Sequence, residues 1–274
     1  AAKVYLFGNF AHSEADQSFN HREVVTSTAT RFNGTASSVG TLSANSAFRH
    51  PIYLTPCPAA NATCPTGGWV KDTNVFNFST LYPAGFTPRF IGVTDQAIGV
   101  AGIKGEFESG MTYDLSGSLA RQSLDLSMNQ SLSPSYGPQT QTEFRFGKLI
   151  QRELNLNLDL AYPVDVGFAS PLTLSAGAEF RREEYEATEG ELQSYGAGPY
   201  AVQNLYNQTS PGVFAFDSTV TMPPSASGYG GTSPTFAGAS SEKSYGVYVG
   251  LEGDLTDRLS MGLAGRYEHY ENFG

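Results

Sequence analysis

The chain has 274 residues, of which only 15% are charged, and its formal net charge is −10. An acidic chain with no basic stripe argues against nucleic acid as a partner. No apolar run in the sequence is long enough to form a transmembrane helix, so a membrane role would require a β-barrel.

Alternation of apolar and polar residues with period two predicts seven strands. In chain order they are Val4–Ala11, Ala97–Phe107, and the segments that begin at Met111, Leu154, Leu172, Tyr245 and Leu259. The first two alternate less clearly than the other five. The alternation alone is equally typical of a transmembrane barrel and of a soluble antiparallel sandwich, because it does not say whether lipid or protein contacts the apolar side.

The connections between the predicted strands alternate between short and long. The short ones are Glu108–Gly110, Pro163–Pro171 and Thr256–Arg258, and the long ones are Glu14–Asp95, Leu126–Glu143 and Thr188–Ser241. In an up-and-down meander all short turns therefore lie at one end, as in transmembrane barrels with strands of about 9–11 residues. Structureless loops of this length are rare in compact soluble domains. The opposite strand faces are rich in Gly, Ser, Asn, Asp and Glu, which suits a wet lumen.

We therefore predict an all-β fold, an antiparallel up-and-down transmembrane β-barrel. Seven is an odd number of strands, whereas bacterial single-chain barrels have even numbers, and open edges in lipid would leave backbone groups unpaired. The chain is thus predicted to be about seven strands of a larger barrel. Because Ala1-Ala2-Lys3 leads directly into a strand and a barrel must be exported, we expect the protein to begin further upstream.

Cys57 and Cys64 are the only cysteines, and both lie in the first long connection, in a Pro-rich stretch. In a protein that passes through an oxidising compartment, this spacing favours a disulfide. A metal site is the weaker alternative, because two thiolates without a nearby His pair do not complete a tetrahedral site.

The particular amino-acid sequences of the strands and their flanking segments are informative in addition to their alternation. The segments that carry a resemblance are Leu81–Arg89, Gly102–Glu106, Met111–Ser116, Gln151–Asn157, Tyr162–Asp165, Ala176–Glu183, Ser194–Tyr195, Gly198–Tyr200, Leu251–Thr256 and Gly265–Tyr270. Together they resemble the barrel portion of the TonB-dependent outer-membrane receptors of Gram-negative bacteria. The resemblance covers essentially the whole chain, although each piece is weak by itself.

The resemblance implies a barrel of about twenty-two strands with a plug folded inside it. Residues 1–274 would be a partial barrel, without the N-terminal plug and the C-terminal strands. It also implies import of a small nutrient of unknown class, bound by extracellular loops and plug and energised through the TonB complex, which acts on the plug region. Further implied partners are outer-membrane lipid, lipopolysaccharide and a surface lipoprotein; no cofactor is implied. The family's energy-coupling residues are not transferred, because no matching positions occur in this chain.

Enzymatic activity is not predicted. The histidines are His12, His21, His50 and His269, none of them in a nucleophile motif, and Gly-x-Ser-x-Gly does not occur. The charged run Arg181–Glu186 is predicted to be a strand that leaves the membrane near lipopolysaccharide head groups. Divalent cations would there bridge its charges to lipid phosphates.

Ligand contacts are expected from aromatic residues of the long connections. The candidates are Tyr53, Trp69, Tyr82, Tyr195, Tyr200 and Tyr206, with Trp69, the only Trp, in first place. The alternative is that these residues pack the loops against one another over the barrel mouth. Two other functions fit the same strands: a passive porin or channel, and a soluble or surface-attached β-rich binding protein or adhesin.

Overall fold

The computed structural model describes residues 2–23, 31–32, 39–41, 52–56, 69–71, 78–210 and 213–272. Residues 31–32, 39–41, 52–56, 69–71 and most of 203–220 are described by their backbone alone. The strands in chain order are β1 (Lys3–Ser18), β2 (Arg31–Phe32), β3 (Val39–Thr41), β4 (Ile52–Pro56), β5 (Trp69–Lys71), β6 (Arg89–Glu106), β7 (Thr112–Asn129), β8 (Phe144–Val164), β9 (Leu172–Ala187), β10 (Val202–Ser210), β11 (Val213–Thr221), β12 (Gly238–Thr256) and β13 (Leu259–Tyr270). The helical segments are the 3-10 helices Phe78–Thr80 and Pro134–Gln139 and one α-helical turn, Leu192–Tyr195.

The main structure is a seven-stranded antiparallel sheet in the order β1-β6-β7-β8-β9-β12-β13. Each strand pairs with the next strand of the meander along nearly its whole length. The seven predicted strands and their up-and-down order are therefore confirmed. The sheet is not closed, and β1 and β13 are its two edges.

The strands are longer than the predicted 9–11 residues, from 12 residues in β13 to 21 in β8. Pairing continues beyond the apolar part because the added residues make cross-strand ion pairs. Arg89 contacts Asp16 at 2.9 Å, and Lys148 contacts Asp125 at 2.9 Å. The strands thus extend well past the stretch that alternates cleanly between apolar and polar residues.

The long connections contain strands of their own. Strands β2 to β5 of the first connection and the hairpin β10–β11 of the third form a second sheet, in the order β11-β10-β2-β3-β4-β5. The two connections meet where Tyr206 pairs with Phe32 and Asn207 with Arg31. Pro-Gly at positions 211–212 separates two runs with β-branched and aromatic residues, which is a hairpin signal in the sequence.

One side of the seven-stranded sheet, which we call the apolar face, carries rows of hydrocarbon side chains on the side of the tight turns and charged side chains towards the long connections. A typical row across five strands is Leu115, Leu158, Ala178, Val247 and Tyr267. The side chains on this face are exposed, up to 80% for Val4 and Leu6 in β1. The other side, the polar face, carries Asn, Gln, Ser, Tyr and charged residues in the alternate positions.

The buried core lies at the long-connection end of the sheet, where Leu126 and Met128 of β7 stand on the polar face. Its fully or nearly fully buried side chains include Phe78, Leu132, Met128, Phe144 and Phe146. All of these residues lie in, or next to, the long connections. Among the described residues, no helix is long and apolar enough to cross a membrane.

Candidate functional site

All long connections leave the seven-stranded sheet at one end, and all tight turns lie at the other. The long ones are residues 19–88, 130–143 and 188–237, and the tight ones are 107–111, 165–171 and 257–258. This arrangement confirms the predicted alternation. We call the described parts of the long connections the loop assembly.

An apolar cluster fixes the loop assembly to the sheet. Phe90 of β6 and Phe146 of β8 lie with ring centroids 6.0 Å apart, and Tyr229 lies 4.9 Å from each of them. Leu126, Met128, Phe144 and Ala226 are buried in the same cluster, and Phe19, Leu124 and Leu149 pack against it. Residues from all three long connections or their flanking strands therefore share one core.

Backbone hydrogen bonds join the second and third connections. The Ser227 amide donates to the Leu132 carbonyl at 2.8 Å, and the Ser131 hydroxyl donates to the Ser227 carbonyl at 3.2 Å. The Tyr200 amide donates to the Ser135 carbonyl at 2.9 Å. Ser131 and Ser135 are fully buried, so these bonds satisfy polar groups that water does not reach. The two connections behave as one folded unit.

Tyr82, a candidate ligand contact, packs inside the loop assembly. Its ring stacks on Phe86 at 4.7 Å between centroids, and its hydroxyl donates to the Ser131 carbonyl at 3.2 Å. Burial raises the pKa of the Tyr82 hydroxyl. For this residue the geometry agrees with the alternative of loop packing.

Tyr195 and Tyr200 lie in the third connection and are half-exposed. The Tyr195 hydroxyl donates to Oε1 of Glu189 at 2.6 Å, and this hydrogen bond raises the pKa of Tyr195. Through its backbone Tyr200 is tied to Ser135 of the second connection. Both rings thus stand on a fixed backbone at the surface of the loop assembly.

The remaining predicted site residues are described in part or not at all. Tyr53 and Trp69 belong to the adjacent strands β4 and β5, with Trp69 on an edge strand, whereas Tyr206 belongs to β10, which β2 and β3 separate from β4. Their side chains lie outside the described residues. Cys57 and Cys64, with the predicted disulfide, also lie outside them.

On the polar face, two tyrosines reach across a glycine to an aspartate on the next strand but one. The Tyr5 hydroxyl of β1 donates to Oδ1 of Asp114 in β7 at 2.6 Å, passing over Gly102 of β6. In the same way Tyr248 of β12 donates to Asp159 of β8 at 2.5 Å, over Gly177 of β9. We call these two arrangements tyrosine braces. A Cβ at Gly177 would lie only 2.1 Å from the Tyr248 ring, so the brace requires glycine there.

Charged groups fill the polar face of β8, β9, β12 and β13. Arg181 contacts Glu153 at 2.8 Å and Glu183 at 2.6 Å, and Arg266 contacts Glu179 and Glu268, each at 2.6 Å. This network holds side chains of several strands in one layer of ion pairs.

Three glutamates form one row across this network, because Glu153, Glu183 and Glu242 are direct cross-strand neighbours. Oε1 of Glu242 is buried without a hydrogen-bond partner among the described residues. Like charges directly opposite each other are unfavourable, and Arg181 offsets this repulsion for Glu153 and Glu183.

The charged run Arg181–Glu186 does not act as one unit. Arg181 and Glu183 belong to the polar face, whereas Arg182 and Glu184 belong to the apolar face beyond its hydrocarbon rows. Strict alternation of the two faces along β9 was the sequence signal that could have divided this run between the faces.

The glutamate row and the tyrosine braces were not predicted from the sequence, because they depend on the register between distant segments. In the described part of the chain, no three His, Cys, Asp or Glu side chains form a metal-ligand group.

A long antiparallel meander with one exposed apolar face, one polar face and all long connections at one end defines a membrane-barrel wall. A family model described as TonB dependent receptor-like, beta-barrel, matches residues 9–274. The chain therefore belongs to this family, and the predicted resemblance is confirmed. No curated protein and no solved structure matches the chain. The family consists of receptors and transporters of the bacterial outer membrane rather than of enzymes, and membership implies interaction with TonB.

Proposed function

We propose that this chain forms part of the wall of an outer-membrane importer that binds a nutrient at its extracellular loops and plug and is energised through TonB. The observation that carries the proposal is the exposed apolar face of a chain that matches the receptor-barrel family over residues 9–274. Exposed hydrocarbon of this extent is stable only against lipid tails or another protein. A soluble binding protein or adhesin would have to cover it.

The edges of the sheet support a larger barrel. β1 and β13 each have one side without a strand partner among the described residues. In lipid such edges would leave backbone groups unsatisfied at several kcal/mol each. We therefore propose that further strands pair with both edges, as the family's barrel of about twenty-two strands would require.

The polar face supports a lumen that holds a plug. Away from the apolar cluster at the long-connection end, the tyrosine braces and the layer of ion pairs make this face polar. Glu242, whose Oε1 has no hydrogen-bond partner among the described residues, would contact a basic group of the plug.

The loop assembly supports extracellular ligand binding. Its apolar cluster and backbone hydrogen bonds fix Tyr195 and Tyr200 at its surface, as a preformed binding surface requires. Trp69, Tyr53 and Tyr206 remain proposed contacts on the second sheet, and Tyr82 is the weakest candidate because it is packed inside. The nutrient is a small molecule, and a surface lipoprotein is a further proposed partner.

The importer is distinguished from a passive porin by conductance and by TonB binding. The full-length receptor is inserted into planar lipid bilayers and its conductance is recorded before and after 4 M urea, a concentration of about the order that unfolds a small domain. A plugged importer stays closed until urea unfolds the plug, and it binds the purified periplasmic domain of TonB. A steady open conductance in buffer, with no TonB binding, would establish the porin instead.

Orientation is tested with an impermeant maleimide on intact cells, in a background carrying Cys57→Ser and Cys64→Ser. Ala197→Cys lies in the loop assembly and Asp257→Cys in a tight turn, and both positions are exposed. Extracellular loops predict labelling at position 197 alone, with labelling at 257 only after lysis. The reverse result would invert the proposed orientation.

A further inference from the structure

Four basic side chains stand on the apolar face, next to its hydrocarbon rows on the side of the long connections. They are Arg121 in β7, Arg152 in β8, Arg182 in β9 and Lys243 in β12, one on each of four neighbouring strands. The register places Arg121 opposite Arg152, and Arg182 opposite Lys243. We call these four residues the cationic belt.

The cationic belt directly borders exposed hydrocarbon. Leu154 lies opposite Leu119 on one side and opposite Arg182 on the other, so apolar and cationic side chains share a row. Leu119 is 66% exposed. The two kinds of surface together suit a molecule that has an anionic head and apolar tails.

Both cross-strand pairs of the belt join two cations, which is unfavourable when nothing lies between them. The chain relieves this repulsion only in part. Nη1 of Arg152 contacts Oε1 of Glu184 at 2.5 Å and Oε2 of Glu186 at 2.9 Å. The contact of Arg182 with Glu184 is 3.8 Å long, and that of Lys243 with Glu271 is 4.0 Å long.

Arg121 is the least neutralised member of the belt. It is exposed and forms no ion pair with any described residue. A guanidinium presents several N–H donors in a fixed fork that matches phosphate geometry. An external anion at this position would contact Arg121 and separate it from Arg152.

We propose that the cationic belt binds the phosphate groups of a membrane lipid whose acyl chains pack on the neighbouring hydrocarbon rows. This inference rests on the proposed function, which puts the apolar face in lipid and the long connections outside. The lipid is then a phosphorylated saccharide lipid of the outer leaflet, of the lipopolysaccharide class. Four strands at about 4.8 Å spacing make the belt roughly 14 Å wide, which suits a head group with more than one phosphate.

The Glu184 and Glu186 carboxylates lower the positive charge of the belt, which limits how strongly it binds a phosphate. Glu184 lies directly opposite Arg152, and both carboxylates contact its Nη1, so Arg152 is the most neutralised member of the belt. A phosphate that contacts the Arg121 guanidinium directly needs no bridging divalent cation.

The test measures lipid binding by the full-length receptor in non-ionic detergent, by native mass spectrometry with titrated lipid. The probes are bisphosphorylated lipid A and the same lipid without phosphate. Removing one cation from a membrane-surface site lowers affinity by about fivefold, so Arg121→Gln combined with Arg182→Gln is expected to weaken lipid A binding by about 25-fold. The matched control, Arg181→Gln, removes a cation from the polar face of the same strand and leaves lipid binding unchanged.

Equal affinity for both lipids, or an unchanged affinity in the double variant, would overturn the proposal. Competition by 10 mM inorganic phosphate, a concentration of about the order that fills a weak anion site, distinguishes free phosphate from lipid as the preferred occupant. Full displacement of the lipid would also contradict the proposal. Insertion of each variant into vesicles is measured in parallel. If the receptor inserts into vesicles but does not bind lipid A, only this inference is contradicted. If it does not insert, the proposed function is contradicted as well.

Discussion

The two faces of the seven-stranded sheet share one backbone and one set of registers, yet they differ in what their side chains contact. On the polar face, tyrosine hydroxyls, carboxylates and guanidinium groups bond across two or three strands. Along the hydrocarbon rows of the apolar face, side chains such as Leu6 and Leu263 are 80% and 72% exposed. The difference shows that stability on the polar face comes from within the chain, whereas on the apolar face it must come from the surroundings.

The largest expected effect comes from a charge placed on each face in turn. Leu158→Arg, in a central hydrocarbon row, is expected to cost about 2–4 kcal/mol of folding free energy in a bilayer, as for arginine near mid-membrane. Asn157→Arg, the next residue and on the polar face, should cost much less. Urea unfolding in lipid vesicles, followed by heat-modified mobility on gels, measures both. Equal costs on the two faces would contradict the lipid contact.

A methyl group added on each face gives the next largest difference. Gly177→Ala forces the Tyr248 ring away from its position and is expected to cost about 1–3 kcal/mol, as overpacking does. Gly99→Ala, on the apolar face, meets no atom within 4 Å and should be neutral. The same urea unfolding in vesicles compares the two. The tyrosine brace would be refuted if the costs were the same.

Removing one hydroxyl on each face should give a smaller difference. Tyr248→Phe loses the hydrogen bond to Asp159, which contributes about 0.5 kcal/mol, the lower end of the usual range, because the group is only half-buried. Tyr245→Phe, on the apolar face, should leave the midpoint of unfolding unchanged. A larger loss at Tyr245 than at Tyr248 would reverse the assignment of the faces.

The smallest effect is expected from a single ion pair of the polar face. Arg266→Gln separates Glu179 and Glu268 from their shared cation. The resulting shift in the urea midpoint should be slight at low ionic strength and should disappear at about 1 M salt, where the Debye length is roughly 3 Å. A shift that persists in high salt would mean that Arg266 has a packing role.

The sequence predicted what local pattern determines. Alternation with period two located the seven strands and assigned the alternate residues Leu154, Leu156, Leu158 and Leu160 to one face. Connection length predicted which end of the sheet carries the tight turns and which carries the long connections. The strands were predicted too short towards the long connections, where ion pairs such as Arg89–Asp16 extend the pairing and carry no periodic signal.

Features that join distant segments could not be predicted in this way. The tyrosine brace from Tyr248 to Asp159 depends on the register of three strands, and so does the row of Glu153, Glu183 and Glu242. The second sheet joins Tyr206 to Phe32, which no local pattern connects. For the candidate site, aromatic content selected the residues, but only packing distinguished Tyr82, whose ring stacks on Phe86, from Tyr195 and Tyr200.

The most direct test of the lipid contact uses the single tryptophan of the chain. In a Trp69→Phe background, Leu158→Trp and Asn157→Trp each carry one tryptophan in this chain, and the full-length receptor is reconstituted with lipids brominated on their acyl chains. The fluorescence of other tryptophans in the full-length receptor is measured in the Trp69→Phe parent and subtracted. We predict strong quenching of the tryptophan at position 158 and little at position 157. Equal quenching at both positions, or none at 158, would contradict a lipid-facing apolar face.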